Sequence, residues 1–156
     1  MKNSKEKLDD LLNFLFIFSG WYSFINVLQK GESMLPVEFV AERTLLCIYG
    51  MKSFFKGKKV PLEVIIKGFF SCVAGRFGKN LTESLVVELK KLLKGHEHLL
   101  KYDEYSKKGF QEKELKEIYE KIFLIMEMSR NFCEQARAGA SGDINSSLEG
   151  LLNLML

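Results

Sequence analysis

The residues with the greatest chemical capacity in this chain are cations. Between Lys52 and Lys79, seven of them (Lys52, Lys56, Lys58, Lys59, Lys67, Arg76 and Lys79) face a single acid, Glu63, so the window carries +6 while the rest of the 156 residues sum to −3. A cationic segment inside a slightly acidic protein points to an anionic partner. Lys56, Lys58 and Lys59 share one turn, and Arg76 and Lys79 follow in the next break. Together they could contact phosphates with an affinity that is indifferent to base sequence and falls steeply with salt. Phe54, Phe55 and Phe77 would supply stacking surfaces if exposed, although a solvated lysine turn beside core phenylalanines accounts for the same residues.

Catalytic chemistry has fewer candidates. His96 and His98 are the only histidines. Two residues apart on a helix they point about 200° away from each other, so they cannot both hold one metal there. HExxH and Glu-x-x-His spacings are absent, and neither histidine follows an arginine by four to six residues, as the ribonuclease signature of HEPN-type helical bundles requires. Cys47, Cys72 and Cys133 are widely spaced among apolar neighbours and form no CxxC pair, so they read as buried thiols of a protein kept in a reducing cytoplasm. Glu112, Glu114, Glu117 and Glu120 alternate with Lys113, Lys116 and Lys121, the pattern of a solvated helix face with i,i+4 pairing. No nucleophile elbow, Walker loop or dinucleotide fingerprint occurs. The expectation is a non-enzymatic protein without metal or cofactor.

One local pattern carries a resemblance. Val73-Ala74-Gly75-Arg76-Phe77-Gly78-Lys79-Asn80-Leu81 resembles the glycine loop of KH nucleic-acid-binding domains, in which Gly-x-x-Gly joins two helices. The resemblance covers about a dozen residues. It implies that Gly75 and Gly78 let the backbone approach phosphates, that Arg76 and Lys79 supply charge, and that the next helix N-terminus adds its dipole. A plain turn between helices, with glycine as the stop and Asn80 and Glu83 as a capping box, explains the same residues.

The elements that must position these groups are helical. Two prolines, 47% apolar residues and long periodic runs argue for an all-α protein. The first helix is expected from Ser4 to about Gln29. Its residues Leu11 to Leu28 carry no charge over eighteen positions, close to a membrane span, but polar interruptions and a central Trp21-Tyr22 pair favour a buried core helix. Its phenylalanines (Phe14, Phe16, Phe18, Phe24) suit plain core or the lining of a groove for a partner helix or apolar ligand. A second helix is expected from Pro36 to Phe55 and a third, almost wholly apolar and therefore central, from Pro61 to about Gly75. A fourth runs from Asn80 to about Lys101 and a fifth from Gln111 to Ala138. Gly139-Ala140-Ser141-Gly142 reads as a flexible break before a short helix from Ile144 to Leu156 capped by Asp143.

The architecture expected is thus a single-domain bundle of five to six helices over residues 1–138, with a short C-terminal helix in 139–156. Along the fifth helix, Leu115, Ile118, Ile122, Ile125, Ser129, Phe132 and Ala136 hold alternating three and four spacing, a coiled-coil-like seam that could pack inside the bundle or, through Leu115, Ile118, Ile122, Ile125 and Phe132, against a second copy. Two functions remain open: a helical module that assembles with itself or other proteins through that seam, or a nucleic-acid-binding subunit that uses Lys56, Lys58, Lys59, Gly75, Arg76, Gly78 and Lys79. The latter is similar in size and helical character to the small subunits of RNA-guided defence complexes.

Overall fold

Six helices and no strand are found among the residues described by the computed structural model, which are 4–29, 37–55, 60–95, 111–139 and 141–155. Helix α1 spans Ser4–Gln29, α2 Val37–Met51 with a 3-10 turn at Lys52–Phe55, α3 Leu62–Phe77, α4 Lys79–Leu92, α5 Glu112–Ala138 and α6 Ser141–Leu154. The protein is all-α, as the periodicity predicts. Helix α3 is the middle of the bundle: nine of its sixteen residues are buried, and it packs on α2, α4 and α5 at once. The helix starts at Leu62, one residue after the expected Pro61, which is its N-cap and whose carbonyl accepts from the Val64 and Ile65 amides. A proline loses nothing there, since an amide at a helix start has no partner within the helix.

The charge-free run of α1 is apolar and long enough to cross a membrane by length and composition. In the bundle it presents Leu11, Phe14, Phe18, Trp21 and Ile25 to the core at helical spacing and leaves Leu12 and Phe16 outside. The rings it buries are ordered edge to face. Phe14 meets Phe54 at 5.3 Å between centroids, and Trp21 meets Phe69 at 5.2 Å, both T-shaped, an arrangement that adds to simple area burial. The indole Nε1 of Trp21 donates to Thr44 Oγ1 at 2.9 Å, and the Thr44 hydroxyl donates to the Val40 carbonyl at 2.8 Å, so both buried groups are satisfied. Thr44→Val keeps the shape but leaves the indole donor without an acceptor. It is expected to cost about 1–3 kcal/mol in denaturant unfolding, followed by the fluorescence of the single tryptophan.

Several junctions differ from the sequence expectation. Asn80 does not cap α4: the helix already starts at Lys79, with Gly78 between α3 and α4 at φ 96°, a left-handed value that glycine alone adopts without strain. The fourth helix ends at Leu92 rather than near Lys101. A turn over 93–95 stops it, with Gly95 at φ 89°; His96 and His98 lie outside the described residues. The break expected over 139–142 contracts to a left-handed Gly139 whose amide closes α5, and α6 begins at Ser141. Ser147 Oγ, on α6, donates to Gln135 Oε1 of α5 at 2.9 Å, and Leu151 and Met155 reach the same core as the first five helices.

The seam of α5 is filled from within the chain. Ile118, Ile122 and Ile125 are buried in the bundle core, and Leu115 and Phe132 pack against it from its edge. Of the two arrangements open to that seam, the chain adopts the internal one.

Candidate functional site

The site begins with small residues on α3. A Cβ placed on Gly68 would lie 2.5 Å from Ile122 Cδ1 and 3.1 Å from a Tyr119 ring carbon, so these α5 side chains pack directly on the α3 backbone where it lacks a side chain. Ser71, Cys72 and Gly75 continue the same face at spacings of three and four, and at Gly75 a Cβ would meet nothing within 4 Å. A helix bulky elsewhere therefore shows α5 a hollow. The result is an open groove of about 1350 Å³ between α3 and α5, with Phe18, Trp21 and Tyr22 of α1 contributing to its lining. Tyr119, Phe123 and Leu124 of α5 form the other wall, and Phe123 and Leu124 remain 53% and 47% exposed.

A charged chain closes one end. Arg76 of α3 lies 3.7 Å from Glu127 of α5, Arg130 bridges Glu127 at 2.8 Å and Glu134 at 3.1 Å, and the Tyr22 hydroxyl donates to Glu134 at 2.8 Å. That hydrogen bond first, and then the Arg130 charge, hold the Glu134 carboxyl below its ordinary pKa. Arg130 is raised chiefly by its hydrogen bond to Glu127. These pairs tie α1, α3 and α5 together at the groove mouth.

The nucleophile candidates are quenched by burial. Desolvation pushes Cys72 up to about 11 and moves Cys47 and Cys133 upward as well, so the thiols stay protonated and weakly reactive at neutral pH. Among the described residues no three His, Cys, Asp or Glu side chains gather as a metal site would require.

Of the five cations expected to form one face, the structure describes Arg76 and Lys79. Lys56, Lys58 and Lys59 lie outside the described residues. Gly75 is inside α3, so the Gly-x-x-Gly run is three residues of helix followed by a one-residue junction at Gly78, unlike the loop that the KH resemblance implies. Arg76 turns to Glu127 and over the Phe77 ring at 5.9 Å, while Lys79 pairs with Glu83 at 3.9 Å on the exposed start of α4. Phe54 and Phe55 are core residues, and Phe77 packs edge-on to Trp21 at 6.2 Å between centroids. Of the phenylalanines that the sequence offers as groove lining, Phe18 does line this groove; its α3 and α5 walls were not foreseen, although a signal is there in Gly68, Ser71, Cys72 and Gly75, four small residues on one face of the most apolar helix.

No protein-family model, curated protein or solved structure matches this chain.

Proposed function

We propose that this protein is a non-enzymatic helical interaction module whose contact face is the α3–α5 groove. The groove carries the reading: it is open, walled by half-exposed Phe123 and Leu124, and backed by aromatic residues of α1. Its volume exceeds the roughly 300–1,000 Å³ of ordinary small-molecule pockets, and its length along two helices suits a further helix laid in with apolar anchors at i, i+3 or i+4, and i+7. The quenched thiols favour binding over covalent chemistry, and three free cysteines suit a reducing compartment such as the cytoplasm.

Trp21 lines this groove and is the only tryptophan, so it reports on occupancy directly. Anilinonaphthalene sulfonate, used as an apolar probe at submicromolar protein, is expected to show emission sensitised by Trp21. Ser71→Leu, which fills the hollow from an exposed position on α3, is expected to remove most of that signal while helical circular dichroism is unchanged. Sensitised emission that persists undiminished in folded Ser71→Leu, or no probe binding by the wild type, overturns the assignment of the face.

A further inference from the structure

The rim charges discriminate between occupants. Along the outer flank of α5 the groove-lining residues run Glu112, Lys116, Tyr119 beside Glu120, Phe123, Glu127 and Arg130. Steps of three and four make this a straight row along one side of the helix. When the row is reversed and laid on itself about an axis between Tyr119 and Phe123, Lys116 meets Glu127 and Glu112 meets Arg130. Phe123 of each copy then lies over Tyr119 and Glu120 of the other. The neighbouring register, with the axis through Phe123, sets Lys116 against Arg130 and Glu112 against Glu134, like charge against like. Opposed like charges reject a register as effectively as paired ones select it.

We infer that the occupant of the groove is a second copy of this chain, docked antiparallel across a two-fold axis with Lys116 facing the partner's Glu127; the inference rests on the interaction reading of the groove. The half-exposed Phe123 and Leu124 supply apolar area close to the axis of this pairing. The arrangement closes on itself and opposes the two α5 dipoles.

Sedimentation velocity of the full chain over a range of concentrations tests this directly. The wild type is expected to move from monomer to dimer. Phe123→Glu, at a half-exposed position, is expected to remain monomeric with its helicity intact. Lys116→Glu, at an exposed position on the rim, is expected to weaken the dimer by about tenfold, since each dimer holds two such pairs. In a mixture of isotopically light and heavy chains, a zero-length carbodiimide is expected to join Lys116 of one to Glu127 of the other. A wild type that stays monomeric throughout overturns the inference. So does a dimer that is unmoved by both folded variants, or one whose inter-chain cross-links omit Lys116–Glu127. A monomer whose Trp21-sensitised probe signal is still lost in Ser71→Leu retains the interaction face and loses only the self-association; a monomer that binds no probe loses both.

Discussion

Phe14→Ala is expected to destabilise the protein by about 3–5 kcal/mol, whereas Phe16→Ala, two residues along the same helix, is expected to change stability by less than about 0.5 kcal/mol. Phe14 is 1% exposed, lies against Phe18 and Phe54, and stands so near Gly50 that a Cβ there would touch its ring at 3.0 Å. Its removal leaves a cavity that neighbours in three elements cannot collapse into. Phe16 is 80% exposed and has little packing to lose. Urea unfolding followed by Trp21 fluorescence and circular dichroism measures both. The contrast also decides how α1 is used. In the bundle the two phenylalanines differ because one faces the core and the other solvent; as part of a span surrounded by lipid they would be near equivalents. A soluble Phe14→Ala protein as stable as the wild type would remove α1 from the core.

The same residues explain what could be read from sequence. Helix positions followed from the apolar period and from its punctuation. Pro61, Gly78 and Gly139 each impose a backbone conformation that ends or admits a helix whatever packs around it, so α3 and α5 stand within a residue or two of expectation. Where punctuation was ambiguous, tertiary packing decided. Asn80 and Glu83 have the spacing of a capping box, but Gly78 already turns the chain and the α4 register starts one residue before Asn80. The run from Gly139 to Gly142 looks flexible in isolation; Leu151 and Met155 have core to bury, and this draws α6 back against α5 at once.

Function was harder to read because charge and exposure do not coincide along the chain. Arg76 belongs to the most cationic segment by sequence, yet in space it serves an ion pair with α5, fifty-one positions away. The isoleucine seam was the obvious contact face of α5 and is spent on the chain's own core. The face left over is the adjoining flank with Tyr119, Phe123 and Leu124, which in sequence looks like a solvated, lysine-rich and glutamate-rich surface. Separating the two flanks requires knowing which side of α5 meets Gly68, and no local signal contains that.

Gly68 and Gly75 lie on the same face of α3, two turns apart, and are expected to respond to substitution with opposite sign. Gly68→Val should destabilise the protein by about 3 kcal/mol, as overpacking of a tight helix crossing does. The added atoms drive into Ile122, which is itself fully buried and has no free volume to retreat into. The wall between Tyr119 and Ser71 would be pushed apart with it, so probe binding in the groove should fall together with stability. Gly75→Ala should instead stabilise by up to about 1 kcal/mol, because it replaces the poorest ordinary helix former with the best at a position where the new Cβ meets nothing within 4 Å. A phosphate-cradling loop would predict the reverse at Gly75, since there the missing Cβ is what admits the ligand backbone. Thermal unfolding of the two variants beside the wild type therefore separates a helical Gly75 from a loop one. A Gly68→Val protein as stable as its parent would mean that α3 and α5 do not cross at Gly68, and the groove that depends on this crossing would go with it.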